Sequence, residues 1–473
     1  MVPERIKLLL DEVAPLADRF ADAGFHLYLV GGTVRDAILN RSLDELDLDF
    51  TTDARPDGIE RLLSGWADAV WTQGKRFGTI GARKDARDYE ITTHRAEAYT
   101  PDSRKPDVAF ADAVEEDLAR RDFTVNAMAL SVPDLKLIDP HGGTSDLAAR
   151  ALRTPLSPQE SFTDDPLRML RAARFISGYD LEPVPELVDA VTALRSRLSI
   201  VSGERIRDEL DKLLKVEHPG KGLWFLVDTG LAAEFLPELP ALALEQDPVQ
   251  RHKDVLAHTI AVVEKTRPDK VLRLAALLHD VGKPKTRAFG PEGVTFHHHE
   301  VVGARLAEAR MRVLHYPAEE IEDVRRLVEL HLRFHGYGET WTDSAVRRYV
   351  RDAGDLLDEL NELTRCDCTT RNRAKARDLD RRMDNLEARI ADLRTREELE
   401  ALRPDLDGHQ VMEHLGLAPG RDVGQALAFL LELRLEEGPL GEEEARRRLD
   451  EWWAERQRKR SSSGDPGSSE AKK

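Results

Sequence analysis

Two hydrophobic periods alternate along the start of the chain. The opening segment MVPERIKLLLDEVAPLADRF breaks its apolar residues with charges every few positions, so it reads as an amphipathic helix and not as a signal peptide. HLYLV (26–30) is a short apolar strand that ends at Gly31-Gly32, and TVRDAILN after it reads as a helix. LDLDFTT (46–52) and DYEITT (88–93) alternate apolar with polar residues, with TIGAR (79–83) before the second. Strands interrupted by helices predict a small α/β or α+β domain over 1–150.

From about Pro155 the strand signal stops and the rest of the chain reads as helical. Between Pro166 and Leu214 the apolar residues recur at i, i+3 and i+4: Leu167, Leu170, Ala173 and Phe175, then Ile206, Leu210, Leu213 and Leu214. Residues 237–250, rich in Pro and acids, look like a linker. A third helical run spans Asp384 to Arg456, and RSSSGDPGSSEAKK (460–473) is a low-complexity tail. No repeat of fixed period is present. These shifts predict a head over 1–150, a helical neck over 151–245, a histidine-rich domain over 246–383, a helical body over 384–456 and a disordered tail over 457–473.

Composition narrows the function. The chain has 473 residues, and 41% hydrophobic with 33% charged is enough for several cores and a soluble surface, which points to the cytoplasm. The net charge of −18 excludes a polyanion binder held by bulk positive charge, so a nucleic-acid partner must use local patches. The densest is RNRAKARDLDRR (371–382); Arg456, Arg458, Lys459 and Arg460 form another. Two cysteines, Cys366 and Cys368, support neither a disulfide framework nor a cysteine zinc site. No apolar run is long enough to span a membrane.

The chemistry starts at Asp47 and Asp49, two apart on a predicted strand and therefore on one face. Two such carboxylates repel unless a cation sits between them, and oxygen-only ligands suit Mg²⁺ completed by water and phosphates. Glu90, on the second strand, can add a third. The strand–Gly31-Gly32–helix junction brings backbone N–H groups near, which suits a triphosphate. RRDFTVNA (120–127) adds Arg120, Arg121 and Asp122, and DPHGG follows at 139–143. Further on, DDPLRMLRAARF (164–175) spaces Asp165, Arg168, Arg171 and Arg174 by three, the arginines sharing a helix face. A carboxylate that accepts from an exocyclic amine beside a guanidinium that donates to a ring nitrogen or carbonyl can admit C and A and reject G and U.

Nine of the fifteen histidines lie between His252 and His335. Imidazoles with carboxylates form a ligand set for transition metals. His258, His279, Asp280, His299, His331 and Asp367 are the candidates.

LVGGTVRD (29–36), LDLDFTTDA (46–54), YEITTHR (89–95) and RRDFTVNAMAL (120–130) occur in that order. Together they closely resemble the head of the bacterial class II tRNA nucleotidyltransferases and poly(A) polymerases, in the polymerase-beta-like superfamily. The resemblance implies a multidomain α+β protein: a head with a small mixed sheet, then all-α neck, HD and tail domains. It implies that Asp47 and Asp49 hold two metal ions with Glu90 as a third acid. Gly31, Gly32 and Arg35 would lie near the triphosphate, and Arg121 and Asp122 near phosphates and ribose. Asp165 and Arg168 match the family's base-reading E-D-x-x-R motif, in which Asp164 stands here for the usual Glu.

LLHDVGKP (277–284) resembles the HD phosphohydrolase signature. That resemblance assigns His258, His279, Asp280 and Asp367 to one metal, such as Mn²⁺, Ni²⁺ or Fe²⁺, with His299 and His331 available to a second. RPDLDGHQVMEHLGLAPGRDVG (403–424) resembles the body segment of HD-containing relatives, which would hold the tRNA elbow. The implied reaction adds C, C and A to a tRNA lacking its 3′-CCA, from CTP and ATP, with pyrophosphate released. RNA and not DNA is the polymer partner. A-only addition, poly(A) synthesis, and an HD phosphohydrolase with a nucleotide-sensing head are the alternatives.

Overall fold

The computed structural model describes residues 4–41, 48–85, 87–98, 107–132, 134–244, 254–290, 293–338, 341–368, 373–397 and 403–462. Asp47, residues 245–250 of the linker and the end of the tail lie outside the described residues. The chain divides into two compact units: 1–277 with 288–295 and 308–321, and 278–287 with 296–307 and 322–473.

The first unit begins with helix α1 (Glu4–Asp22), strand β1 (Leu27–Val30), helix α2 (Gly32–Ile38), strand β2 (Leu48–Thr52) and helix α3 (Pro56–Leu63). Strands β3 (Ala69–Trp71), β4 (Thr79–Lys84) and β5 (Arg87–Thr93) follow. A separate hairpin, β6 (Arg95–Ala98) with β7 (Asp107–Phe110), leads to helix α4 (Val114–Ala119) and strands β8 (Ala129–Val132) and β9 (Leu137–Ile138). Seven strands form one mixed sheet in the order β3-β4-β5-β2-β1-β8-β9, and only β2 and β5 of its pairs run parallel.

The period-two pattern sets the two faces of this sheet. Leu27, Leu29, Leu48, Phe50, Ile80, Ala82, Tyr89 and Ile91 are buried on one face. Helices α1 and α3 cover it with Val13, Leu16, Phe20, Ile59 and Leu63. The opposite face carries the intervening polar residues. Among the described residues, Val114 and Leu118 of α4 cover part of it by packing on Val30, Ala127 and Ala129.

The neck continues the chain as helices α5 (Gly143–Ala149), α6 (Pro158–Asp164), α7 (Leu167–Tyr179), α8 (Pro185–Leu194), α9 (Gly203–Leu214) and α10 (Gly220–Asp228). Helix α7 packs against both α9 and α10. One buried cation closes the end of α9. Arg273, 1% exposed, donates to the carbonyls of Leu214, Val216, Glu217 and Thr266. The last turn of a helix has no intrahelical donors for its carbonyls, and here the guanidinium supplies them. Arg273→Met keeps the apolar stem and strips buried carbonyls of a donor. We expect a loss of about 3 kcal/mol, read as a lowered midpoint in urea unfolding.

The largely helical part of the chain also holds short strands. Strands β10 (Ala151–Leu152) and β11 (Glu182–Pro183) pair in parallel, and β12 (Ala288–Gly290) with β13 (Gly293–Thr295) makes a hairpin. Strands of two or three residues are too short to show a period, so the sequence hides them. The second unit contains the helices Asp343–Ala353, Leu357–Asp367, Arg373–Glu397, Gly408–Leu415, Arg421–Glu437 and Glu442–Ser462. The helix Arg373–Glu397 runs unbroken through the expected boundary at 383/384. Its buried Met383, Leu386, Ile390 and Leu393 keep a three-to-four spacing across that point, so one apolar stripe holds both sides of it in a single helix.

Candidate functional site

The open face of the head sheet carries the carboxylates. Asp49 on β2 and Glu90 on β5 are direct neighbours in the parallel register, and both are exposed. Neighbouring strands lie about 4.8 Å apart, so the two charges share one small volume of solvent. A pair of like charges at that spacing fits a divalent cation, which would neutralise both.

Gly31 stands on the other side of Asp49. Its φ of +70° favours glycine, and an added Cβ would fall 3.0 Å from Arg121 Nη1 and 3.9 Å from Asp49 Oδ2. Arg121 and Arg120 are both held by Asp117, at 3.1 Å and 3.3 Å. Asp117 is a residue that sequence reasoning missed. Its burial would raise the carboxyl pKa, but the two guanidiniums hold it below the ordinary carboxylate range. The signal was present: Asp117 precedes the two arginines by three and four residues, which is one turn of helix.

Arg35 is buried and faces protein groups. It pairs with Asp36 at 2.8 Å, donates to Asn126 Oδ1 and the Tyr179 hydroxyl, and lies 4.0 Å over the Tyr179 ring. Gly32 sits against this guanidinium, where an added Cβ would fall 3.4 Å from its Nη2. Arg35 thus joins the head to α7.

Asp122 makes a second tie between head and neck. Its Oδ1 accepts from Asn126 Nδ2 at 2.9 Å and from the Phe123 amide at 2.8 Å, and its Oδ2 takes the Arg171 guanidinium at 2.5 Å. Burial opposes its ionisation, but Arg171 beside it holds the carboxyl far below the usual carboxylate range. Arg171 also approaches Glu209 at 3.7 Å, and Arg174 binds Glu209 at 2.9 Å. Arg168 donates to Ser161 Oγ at 2.9 Å and to the Arg120 carbonyl.

Asp165 is not on the helix of the arginines. It ends α6 in an extended conformation, with its Oδ1 accepting from the Leu167 amide at 3.1 Å and its Oδ2 facing Arg205 at 3.2 Å. Pro166 breaks the run because the residue before a proline avoids the helical region. Arg205 is a partner that sequence spacing could not reveal.

The histidine cluster in the second unit is tightly built. His279 and Asp280 are fully buried neighbours, with His279 Nε2 3.2 Å from Asp280 Oδ2 and 3.6 Å from Asp367 Oδ1. His299 Nδ1 lies 2.8 Å from the Phe296 carbonyl and His331 Nδ1 lies 2.6 Å from the Val328 carbonyl. A carbonyl only accepts, so each Nδ1 is the donor and each Nε2 is left to face the Asp280 side, His299 Nε2 standing 3.4 Å from Asp280 Oδ1. Both Nε2 atoms are buried with no hydrogen-bond partner, and with an Asp280 oxygen their donor atoms lie within 4.8 Å of one another.

Two orphaned nitrogens beside a buried carboxylate fit a divalent metal. Burial pushes His331 down to about 3. His279 is driven the opposite way: burial resists its charging, yet Asp280 and Asp367 push it up to about 10, the same demand for positive charge that a cation would meet. His335, 3.6 Å from Asp367, and Lys283, 2.7 Å from Asp280, complete the surroundings and were not singled out by sequence. His258 stands in the first unit, on helix Val255–Lys265.

The basic patches are less bare than the sequence suggests. Arg381 faces Asp378, and Arg382 donates to the Tyr337 carbonyl. Arg460 pairs with Asp422 at 3.2 Å and Lys459 with Glu455 at 2.6 Å. Among the described residues no helix is long and apolar enough to cross a membrane.

Paired strand carboxylates beside a glycine turn, on a small mixed sheet followed by helices and a histidine–aspartate cluster, define the class: a nucleotidyltransferase head joined to an HD region. Comparison with known proteins agrees. Residues 27–153 match the poly A polymerase head domain, 180–242 the probable RNA and SrmB-binding site of polymerase A, and 255–393 the HD domain. The chain is 33% identical over 447 residues to the A-adding tRNA nucleotidyltransferase of Deinococcus radiodurans, covering 90% of this chain and 95% of that protein. It is 40% identical over 221 residues to the CCA-adding enzyme of Bacillus subtilis, covering 46% of this chain and 54% of the relative. The match thus spans about half the length of the Bacillus protein. The fold resembles the Bacillus stearothermophilus CCA-adding enzyme in complex with CTP, with a TM-score of 0.69, 23% identity, and coverage of 96% of this chain and 99% of that one. The chain belongs to the tRNA nucleotidyltransferase and poly(A) polymerase family.

Proposed function

We propose that this chain adds C, C and A stepwise to the 3′ end of tRNA from CTP and ATP. The observation that carries the reading is the group of Asp49, Glu90, Gly31 and Arg121 on one open sheet face. Mg²⁺ held by Asp49, Glu90 and Asp47 would supply charge neutralisation and activation of the attacking hydroxyl. The 3′ oxygen of the RNA bonds to the α-phosphorus, the bond to the β-phosphate oxygen breaks, and pyrophosphate leaves. Arg121, aimed by Asp117, offers its Nη1 to the phosphates. Nucleotidyl transfer needs such positioning and charge more than covalent catalysis.

Base choice falls in this reading to Asp165 and Arg168. Asp165 accepts from the amino group of cytosine or adenine, and Arg168, anchored to Ser161, donates to the adjoining acceptor. Arg205 holds Asp165 for this role. The C-terminal helices, with Arg421 and Arg456, contact tRNA phosphates without base readout.

Incorporation of each labelled nucleotide onto a tRNA transcript lacking CCA tests the reading. Two C additions, then one A and a stop, are expected. The Deinococcus relative, named for A addition, favours a second reading, in which A is added only to a transcript that already ends in CC. No incorporation of any nucleotide overturns both.

The HD cluster, in the same proposal, binds Mn²⁺, Ni²⁺ or Fe²⁺ and hydrolyses phosphoesters. His331→Ala is expected to lower bound divalent metal in the purified chain at least tenfold while incorporation persists. Elemental analysis after desalting reads the first, and the tRNA assay reads the second.

A further inference from the structure

The catalytic face of the head sheet extends past Glu90 to an aromatic side chain. Trp71 on β3 pairs with Gly81 on β4, Gly81 with Glu90 on β5, and Glu90 with Asp49 on β2. Cross-strand partners share a face, so these four positions form one row across four adjacent strands. A Cβ at Gly81 would fall 1.9 Å from the indole Nε1 of Trp71 and 2.2 Å from its Cε2. The indole therefore lies over Gly81 and occupies the space of the missing side chain. Any larger residue at 81 would lift the ring from the sheet. Trp71 is half-buried, and among the described residues no other ring stacks on it.

We infer that Trp71 is a stacking platform for the 3′-terminal base of the RNA that accepts the nucleotide. The inference rests on the nucleotidyl-transfer reading of the head and extends it to the acceptor. Its direction comes from the order of groups along the row. Gly31 and Arg121, which in that reading bind the phosphates, stand beside Asp49 on its β1 side. Glu90 and Trp71 stand on its other side. Displacement at phosphorus is in line, so the attacking oxygen lies opposite the departing pyrophosphate. Pyrophosphate leaving toward Gly31 and Arg121 puts the acceptor ribose over Glu90 and its base over Gly81. Gly81 is two strands from Asp49, about 10 Å at the usual strand spacing, which a nucleoside with its base on the indole bridges. Aromatic rings accept every base alike, which suits an acceptor end that changes with each addition.

A tryptophan covering a glycine also stiffens a sheet edge, and that purely structural role predicts a different outcome. The test compares wild type, Trp71→Leu and Trp71→Phe for C addition to a short acceptor-stem RNA, with RNA and CTP varied separately. Stacking of one base is worth about 1–3 kcal/mol, or roughly 5- to 150-fold. Trp71→Leu is expected to lower kcat/KM for the RNA at least fivefold with KM for CTP unchanged, while Trp71→Phe keeps most of it. A leucine variant within twofold of wild type for RNA overturns the inference, and so does a change confined to KM for CTP. If Trp71→Leu melts lower than wild type, Trp71→Phe against wild type decides by fluorescence. A trinucleotide should quench wild-type emission more than that of Trp71→Phe, and equal quenching overturns the inference. Failure of the wild type to incorporate anything instead sinks the transfer reading, and the quenching comparison still decides the platform.

Discussion

Asp49→Asn will fold normally and lose nucleotide incorporation by on the order of 10³-fold or more, about 4 kcal/mol of transition-state stabilisation. The residue is exposed on β2, so the amide fits where the carboxylate stood and the melting temperature should move little. What disappears is half of the negative pair that Asp49 makes with Glu90 across the parallel register. An amide carries no charge, and the divalent cation proposed to bind between the two carboxylates would lose one of its ligands. Glu90→Gln should lower incorporation in the same sense. Metal content and any phosphoester hydrolysis of the proposed HD site should be unchanged in the same Asp49→Asn preparation, because the histidine cluster lies in the other unit. Full incorporation by Asp49→Asn would remove the carboxylate pair from the mechanism.

The second large effect concerns Asp122. Asp122→Asn leaves Arg171 with Glu209 alone, 3.7 Å away, and breaks a buried ion pair at 2.5 Å. Removing one partner of such a pair costs about 3–5 kcal/mol. The carboxyl of Asp122 is held below its ordinary value of 3.8. A group with a lowered folded-state pKa contributes stability that is complete above its unfolded value and is lost as pH falls through the folded one. The gap between wild type and Asp122→Asn should therefore be widest at neutral pH and close progressively once pH drops below about 4. Urea unfolding at pH 7, 5 and 3 reads it. A gap independent of pH would show that Asp122 is not the charged partner of Arg171.

Much of the head was legible because its chemistry and its pattern share the same residues. The alternation that buries Leu48 and Phe50 leaves Asp49 outward, so strand and site were read together. The parallel register that sets Glu90 beside Asp49 was not legible, since pairing between β2 and β5 depends on contacts 41 residues apart in sequence, such as Thr51 to the Thr92 carbonyl. The neck shows the opposite case. Helical spacing placed Arg168, Arg171 and Arg174 on one face, but Pro166 took Asp165 off the helix, and each arginine found an acceptor from another segment. Glu209, Arg205 and Trp71 went unread for a common reason: each gains its meaning from a partner that only folding brings near. In the second unit the histidines were conspicuous by type, whereas the orphaned Nε2 atoms arise from backbone carbonyls at Phe296 and Val328 that no side-chain pattern announces.

Arg273 bears on how modular the chain is. It lies after the Pro-rich 237–250 stretch, where a change of composition suggests a natural place to divide the chain, yet it donates back to carbonyls at Leu214, Val216 and Glu217. By composition alone the head and neck would end at that seam; the guanidinium stitches them to the segment beyond it. The neck is therefore not a self-contained cassette that recombination could transplant with its own ends. Any exchange of the head and neck between relatives must carry residues well beyond 245 with them, or supply another donor for the same carbonyls.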